Sequence, residues 1–324
     1  MGLAPLITEN TENQLRQYSD AMTVYGAYIR AVHEAATVRG SMLWREMRGT
    51  NTLIRVSAAG AQRSLGPESA ENHAIYVKFM DRKKRVEQSR KALTLKLDEM
   101  RKLNKVYGVG RTPQVVVALL TAMEKAGIAE QFLTVGTHAL YAYESACGVR
   151  VGTDALATRD MDLLFDTRQH VVFVTNLQRI DSSLIDVFRK ADKSFRVRPD
   201  QLQTAVNDEG FEIDVIRRVA IEGDPHPFPM SADEDDFWAV QVSSGNQLLS
   251  ARRFEQMVVS PRGDMGWMRT VHPLDFVRVK AALSESPSRD PLKRPKDALQ
   301  ARIVRHLWDE YLVHRQPVAF RAAP

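Results

Sequence analysis

Apolar residues recur at steps of three and four between residues 10 and 39. They are Leu15, Tyr18, Met22, Tyr25, Ile29 and Val32. This period places their side chains on one face of an α-helix, and Gly40 supplies a residue at which such a helix can end. The pattern therefore predicts a long helix near the start of the chain.

Two short segments with strand character follow this helix. They span residues 41–47 and 52–57, and the sequence between them predicts a turn at residues 49–51. Residues 62–67 contain glycine, proline and polar side chains and are predicted to form a loop. The expected structure of this part is a single β-hairpin followed by a loop.

A long, highly charged helix is predicted over residues 71–105. It contains the basic run Arg82-Lys83-Lys84-Arg85. Such a run is typical of a solvated helix face, and contact with a nucleic acid or another phosphate-rich ligand is the alternative. Residues 107–110 break the helical pattern, so residues 1–107 are predicted to form a mostly helical N-terminal region with one hairpin.

Strands alternate with helices in the middle of the chain. The predicted strands span residues 132–135, 161–165 and 211–216, and the helices between them span residues 137–146 and 182–190. A later hairpin is expected over 254–260 and 267–271. This alternation predicts an α/β (α+β) core over residues 108–272, with a short mixed sheet flanked by helices.

Two more helices are predicted at the C-terminal end, over residues 273–284 and 295–312. Each begins at a proline, which is well suited to the first turn of a helix. Residues 273–324 are therefore predicted to form a C-terminal helical segment.

Composition excludes several classes of protein. Hydrophobic residues make up 44% of the chain and charged residues 26%, no apolar run approaches the roughly 20 residues that span a bilayer, and no secretory signal is expected at the N-terminus. Cys147 is the single cysteine, which excludes an internal disulfide and suits a reducing cytoplasm. The net charge of +5 weakly favours a polyanionic partner, although ordinary solubility explains it equally well.

Three acidic residues lie in or beside the predicted strands. Asp160 and Asp162 are two positions apart, so both side chains project to the same face of a strand. Asp214 is the only charged residue in the apolar run 213–216. A carboxylate in a strand that is otherwise buried is costly unless a metal ion or a cationic partner compensates it. Each feature alone is more often a surface acid or an edge aspartate, and their order along the chain is what favours a functional site.

Gly136 and Thr137 precede these acids and connect an apolar strand to a helix. Glycine allows close approach of the backbone, and a helix N-terminus offers free N–H groups to a phosphate. A Gly-Thr turn, an Asp-x-Asp strand and a third acid on a later strand resemble the polymerase-β-like nucleotidyltransferases. The chain is most similar to a bacterial, largely uncharacterised subgroup with an added N-terminal region. The segments that carry this likeness are residues 63–67, 135–141 and 158–164.

The resemblance implies a specific chemistry for these residues. Asp160, Asp162 and Asp214 would be catalytic residues and would hold two divalent ions, Mg²⁺ or Mn²⁺. Gly136 and Thr137 would bind the triphosphate of an NTP. The reaction would transfer a nucleoside monophosphate to an acceptor hydroxyl and release pyrophosphate.

The C-terminal segment adds Lys280 and Lys296 as candidate nucleotide-binding residues. Several relatives in this superfamily end in a helical segment whose basic side chains face the nucleotide, so the resemblance implies phosphate contact for both. Solvated lysines on a helix surface are the alternative. Asp297 is expected to complement the helix dipole as an acid in the first turn.

Several classes of acceptor are compatible with the resemblance. Acceptors in the superfamily include RNA 3′ ends, protein hydroxyls and small hydroxylated compounds, and the pI near 9.3 favours RNA, tRNA among others. The alternatives are an enzyme that nucleotidylates a protein or a small molecule, and a non-catalytic nucleotide-binding module of a toxin–antitoxin or defence system. No membrane partner is expected.

Overall fold

The computed structural model of the chain describes residues 7–58, 60–221, 224 and 228–314. These residues separate into two compact units. Residues 18–103 form the smaller unit, and residues 7–17 together with 104–314 form the larger unit. The division into segments 1–107, 108–272 and 273–324 stays a prediction, and the last ten residues of the third segment lie outside the described residues.

Strands and helices alternate through most of the chain. The strands are β1 (Ile7–Glu9), β2 (Ser41–Met47), β3 (Thr50–Val56), β4 (Gln62–Pro67), β5 (Phe132–Val135), β6 (Val149–Val151), β7 (Asp160–Phe165), β8 (Arg196–Arg198), β9 (Gln201–Val206), β10 (Glu212–Arg218), β11 (Phe228–Pro229), β12 (Trp238–Val242), β13 (Arg253–Val259) and β14 (Met265–Val271). The helices are α1 (Glu12–Thr37), α2 (Ala70–Tyr107), α3 (Gln114–Ala126), α4 (Leu140–Cys147), α5 (Thr153–Leu156), α6 (His170–Arg179), α7 (Leu184–Arg189), α8 (Gly245–Ser250), α9 (Pro273–Glu285) and α10 (Arg294–Leu307). Among the described residues, no helix is both long and apolar enough to cross a membrane.

The smaller unit contains a three-stranded antiparallel sheet in the order β2-β3-β4. Met47 pairs with Thr50, so the hairpin turn is Arg48-Gly49, one residue earlier than predicted. Both turn residues have positive φ, 52° and 77°, as two-residue turns of this kind require. The predicted loop at residues 62–67 is wrong, because these residues form the edge strand β4. Its polar, exposed side chains hide the alternation that marks a strand in the sequence.

The larger unit is built around a mixed sheet in the order β11-β12-β10-β7-β5, and β9 and β8 continue from β10. Strands β7 and β10 are parallel neighbours at the centre, and β5 is antiparallel to β7. This sheet confirms the predicted α/β (α+β) class, with a mostly helical N-terminal part that includes a hairpin and a helical C-terminal part. The sequence analysis does not predict strands β8, β9, β11 and β12.

Apolar side chains from the sheet and its helices form one continuous core. Phe132, Phe165 and Phe173 pack with ring centroids 5.1–5.7 Å apart, and burying each such ring contributes roughly 1.5–3 kcal/mol. The predicted hairpin is present as β13 and β14, against which α4 and α3 pack. Helices α9 and α10 pack on each other, and α10 also contacts α4 and α5. This rigid frame positions the strand ends described below.

Candidate active site

The parallel strands β7 and β10 bring three carboxylates together. Their register sets Asp162 directly beside Asp214 and Asp160 beside Glu212. Because residues two apart on a strand project to the same face, Asp160, Asp162 and Asp214 share one side of the sheet. Carboxylate oxygens of the three all lie within 4.8 Å of one another. The structure thus places together the three acids that the sequence indicates.

Burial and the negative charge of neighbouring carboxylates raise the pKa of Asp162 and of Asp214. Burial, with the negative charges of Asp160 and Asp214, raises the pKa of Asp162 to about 7. Burial also raises the pKa of Asp214, although the Thr204 hydroxyl opposes this shift by donating a hydrogen bond to Asp214 Oδ1. Burial and nearby negative charge both disfavour the charged form of a carboxyl group, and both therefore raise its pKa. A cation that binds beside these carboxylates would therefore stabilise their charged forms.

The donor set fits a hard divalent cation. All three candidate ligands are carboxylates, which suit Mg²⁺ or Mn²⁺ better than Zn²⁺, since structural zinc sites favour cysteine and histidine. Within the described part of the chain, no other group of three or more His, Cys, Asp and Glu side chains is close enough to hold a metal ion. Metal binding by this cluster is thus consistent with its geometry and its chemistry.

Gly136 lies against Asp162. Val135 in β5 pairs with Asp162, and the chain then turns at Gly136, whose φ is +66°. A Cβ atom at this position would be 2.2 Å from Asp162 Oδ2. Only glycine both adopts the left-handed conformation readily and leaves room for the carboxylate. The segment Gly136–Ala139 is a 3₁₀ turn that leads into α4, where the sequence predicted an α-helix from residue 137.

The Thr137 hydroxyl is oriented by a buried amide. Gln300 Nε2 donates to Thr137 Oγ1 at 3.0 Å and to the Ala155 carbonyl at 2.7 Å. Because the carbonyl can only accept, the NH₂ group of Gln300 must face this side. Thr137 Oγ1 therefore accepts from Gln300, and its own hydrogen is left for another acceptor. Gln300 is fully buried in α10 and was not predicted from the sequence.

His138 supports the strand that carries the first acid. The ring is 1% exposed and packs edge-on against Phe211. Burial lowers the pKa of His138 to about 4, although a hydrogen bond to the backbone of Asp160 and the charge of that residue oppose the shift. His138 is therefore a neutral, packed residue that contacts the backbone of Asp160.

Lys280 is buried in an ion-pair cluster. Its Nζ lies 2.7 Å from Asp297 Oδ1, and Arg289 Nε lies 2.8 Å from Asp297 Oδ2. Asp297 lies in the first turn of α10, as expected, yet it is only 2% exposed and neutralises two cations. The positive charge of Lys280 lowers the pKa of Asp162. Lys280 is thus not a solvated surface lysine.

Two more lysines add positive charge near the carboxylates. Lys296 Nζ donates to the Ala157 carbonyl at 2.6 Å, and burial lowers the pKa of Lys296 while the charge of Asp160 opposes that shift. Lys293 is exposed, and its charge lowers the pKa of both Asp162 and Asp214. Sequence reasoning missed Lys293, because nothing in its local pattern separates it from a solvated lysine.

We expect the Asp297→Ala substitution to cost about 3–5 kcal/mol of unfolding free energy, because it leaves Lys280 buried without its partner. A carboxylate that only complements a helix dipole would contribute about 0.3–1 kcal/mol. Urea unfolding followed by circular dichroism measures the difference. Asp309→Ala is the control, since Asp309 forms an exposed pair with Arg305, and it should cost about 0.5 kcal/mol or less. Equal small losses in both variants would contradict the buried ion pair.

We expect the metal-free protein to lose stability relative to an Asp162→Asn variant as the pH rises from about 5 to about 7. The folded-state pKa of Asp162 is about 7, above the unfolded value near 3.9. Protonated Asp162 therefore contributes stability that is lost as the pH rises through the folded-state pKa. Thermal midpoints measured in EDTA test this, and the titration of His138 cancels because both proteins contain it. Parallel midpoint profiles for the two proteins would contradict the expectation.

One family of known proteins matches the larger part of the chain. The family described as "Nucleotidyltransferase" matches residues 114–320. This range starts at the first residue of α3 and includes the turn at Gly136, the three carboxylates and both C-terminal helices. No curated protein and no solved structure matches the chain. The match covers more than half of the length of the chain, and the carboxylate cluster is present. The chain therefore belongs to the nucleotidyltransferase family and is an enzyme of that class.

Proposed function

We propose that this enzyme transfers a nucleoside monophosphate from an NTP to an acceptor hydroxyl and releases pyrophosphate. The observation that carries the proposal is the cluster of Asp160, Asp162 and Asp214 in a chain of the nucleotidyltransferase family. The Gly-Thr turn against Asp162 supports membership of the polymerase-β-like superfamily, and of the bacterial subgroup that the sequence resembles.

We assign the three carboxylates as ligands of two divalent ions, Mg²⁺ or Mn²⁺. When bound, such ions would neutralise phosphate charge and lower the pKa of the attacking hydroxyl. The register of strands β7 and β10 fixes Asp162 beside Asp214. This preorganisation avoids reorganisation during the reaction, which is a main source of catalysis when charge develops in the transition state.

The side chains around the carboxylates fit the triphosphate of an NTP. Gly136 brings the backbone close to Asp162, and Thr137 has a hydroxyl hydrogen that Gln300 leaves available. Lys280, Lys293 and Lys296 supply positive charge for the phosphates. We infer that these residues hold the triphosphate in place for an in-line displacement, which depends mainly on positioning and charge neutralisation.

Gln300→Leu should raise KM for the NTP about tenfold, because a hydroxyl that is no longer oriented loses a hydrogen bond to a charged phosphate. Thr137→Val should have a similar effect. The KM of the double variant should be about the same as that of either single variant, since both changes remove the same interaction. Steady-state kinetics of the four proteins measure this. Additive losses in the double variant would show that Gln300 acts independently of Thr137.

We propose RNA as the acceptor, at a 3′ end such as that of tRNA. The basic pI near 9.3 supports this choice, because release of counterions from phosphates favours binding of RNA by a basic protein. A protein or a small molecule as acceptor, and a role in a toxin–antitoxin or defence system, are the other assignments that the family allows. A non-catalytic module is disfavoured because all three acids are present in one cluster.

Transfer of radioactive label from the α-phosphate of each NTP identifies the acceptor. The purified protein is incubated with total RNA and protein from a bacterial lysate and with Mg²⁺ or Mn²⁺, and a variant with Asp160→Asn and Asp162→Asn serves as the control. We expect one NTP to label RNA, and this label to be absent with the variant. Label in protein or in small molecules, with none in RNA, would overturn the proposed acceptor.

A further inference from the structure

Positive charge is concentrated in the smaller unit. Of the 45 Lys and Arg and the 40 Asp and Glu in the chain, residues 18–103 contain 16 and 9. This part therefore carries a net charge of +7, whereas the rest of the chain carries −2. The overall excess of +5 is thus not spread over the protein as a solubility charge would be.

Most of this excess lies on one part of α2, residues 82–97, which we call the basic segment. It contains the basic residues Arg82, Lys83, Lys84, Arg85, Arg90, Lys91 and Lys96 and one acidic residue, Glu87. At a rise of 1.5 Å per residue, the basic segment is about 24 Å long. It therefore carries positive charge over a length that can contact several phosphates.

Some of these cations are used inside the smaller unit. Arg82 Nη2 donates to Thr37 Oγ1 at 3.0 Å, and Lys83 Nζ donates to the Gly40 carbonyl at 2.7 Å. These contacts attach α2 to the end of α1. The other five basic side chains are exposed and have no ion pair or hydrogen bond to another described residue; they are Lys84, Arg85, Arg90, Lys91 and Lys96.

The exposed cations form rows along the helix. A spacing of seven residues aligns Lys84 with Lys91, and a spacing of eleven aligns Arg85 with Lys96. These rows lie away from Val86, which is 4% exposed and marks the packed side of the helix. At 1.5 Å per residue these spacings are about 10.5 and 16.5 Å, so each row could contact phosphates at more than one point along a nucleic-acid backbone.

The same helix pairs opposite charges elsewhere. Asp98 lies 2.8 Å from Arg101 and 2.7 Å from Lys102, which is the usual arrangement on a solvated helix. In the basic segment only Lys83 and Glu87 are paired, at 3.8 Å. The seven basic residues and one acidic residue of the basic segment therefore leave an excess of six positive charges, which a bound polyanion would neutralise.

We propose that the basic segment of α2 binds the phosphate backbone of RNA. This inference rests on the proposed function, in which RNA is the acceptor. Contacts from Lys and Arg to phosphates are independent of sequence, so the basic segment would hold many RNAs alike and leave the choice of 3′ end to other residues. A helix that lies on a membrane carries a large apolar face beside its basic one. Leu95 is the only large apolar residue exposed on the basic segment, so RNA is the better fit.

Fluorescence anisotropy of a labelled tRNA transcript, measured with the full-length protein and without NTP, tests this proposal. The variant carries glutamine at four exposed positions: Lys84→Gln, Arg85→Gln, Lys91→Gln and Lys96→Gln. Glutamine is a good helix former, so α2 should be retained. The control carries four matched changes at exposed positions of the larger unit, with the same change in net charge: Lys125→Gln, Arg179→Gln, Lys190→Gln and Lys193→Gln.

We expect the basic-segment variant to bind the tRNA about tenfold more weakly or worse, and its dependence on salt to become shallower, since each lost phosphate contact lowers the slope by roughly 0.7–0.9. The control should stay within about twofold of the wild type. The proposal would be overturned if the basic-segment variant bound tRNA with wild-type affinity, or if both variants lost the same affinity. It would also be overturned if the wild type bound phosphatidylserine vesicles and not RNA. Because the assay contains no NTP, it is read independently of nucleotidyl transfer: an enzyme that transfers label to another acceptor and binds no RNA refutes only the RNA assignments.

Discussion

Asp162→Asn should reduce nucleotidyl transfer by about 10³-fold or more and leave the fold intact. Burial and neighbouring negative charge raise the pKa of Asp162 to about 7, and Asp162 lies beside Asp214 in the strand register. Removing its charge removes a ligand from the proposed metal site, and metal ions contribute several kcal/mol of transition-state stabilisation. At 1.36 kcal/mol for each factor of ten, such a loss reaches a thousandfold or more.

The same substitution should raise the thermal stability of the metal-free protein at neutral pH. Three carboxylates with oxygens within 4.8 Å of one another repel, and an amide in place of Asp162 relieves that repulsion. Addition of Mg²⁺ should raise the thermal midpoint of the wild type more than that of the variant, because a ligand stabilises the state that binds it. Rates from initial-velocity assays and midpoints from calorimetry measure both effects.

Asp208→Asn is the matched control for this prediction. Asp208 forms an exposed pair with Arg196 and is not part of the carboxylate cluster. We expect it to change the rate by less than about twofold and to leave the response to Mg²⁺ unaltered, since exposed ion pairs contribute little. An Asp162→Asn enzyme that retains a tenth of the wild-type rate would contradict the assigned role.

Gly136→Ala should reduce transfer by about 100-fold. The added Cβ would lie 2.2 Å from Asp162 Oδ2, so the turn or the carboxylate must move. Displacement of a catalytic group by about 1 Å is enough to lower the rate about 100-fold. The alanine would also adopt a φ of +66°, which costs about 1–2 kcal/mol of stability.

Gly127→Ala is the control that introduces similar backbone strain without a steric clash. Gly127 has a φ of +75° at the end of α3, and the nearest atom to an added Cβ is 3.9 Å away. This variant should lose a similar stability through its left-handed conformation and keep a rate within about threefold of the wild type. Measurements of rate and of unfolding free energy on both variants test the idea. Equal rates for Gly136→Ala and Gly127→Ala would show that close packing against Asp162 is unimportant.

The carboxylate cluster was predictable because local sequence patterns contain it. Asp160 and Asp162 are two residues apart on an apolar strand, and Asp214 interrupts another apolar strand. A strand has a fixed two-residue period, so the shared face follows from the sequence alone. The strand Phe132–Val135 has the bounds that the sequence predicts, because this short, mainly apolar run lies between Gln131 and Gly136.

Other parts of the site depend on contacts between distant residues. Gln300 meets Thr137 across 163 positions of the chain, and no local pattern indicates that a glutamine in α10 is buried there. The burial of Lys280 likewise follows from the packing of α9 on α10 and from its pairing with Asp297. Edge strands such as β4 were missed because exposed polar residues carry no hydrophobic period.

Every assignment made above depends on the proposal that the three carboxylates catalyse transfer of the α-phosphate of an NTP. Parallel reactions with NTP labelled at the α- or the γ-phosphate test this step, each with the wild type and with the Asp162→Asn variant. We expect α-label to enter the acceptor and γ-label to leave as pyrophosphate. Both should depend on Mg²⁺ or Mn²⁺ and be lost in the variant. Entry of γ-label into the acceptor, or transfer of α-label by the variant at the wild-type rate, would show that the carboxylates do not catalyse this reaction.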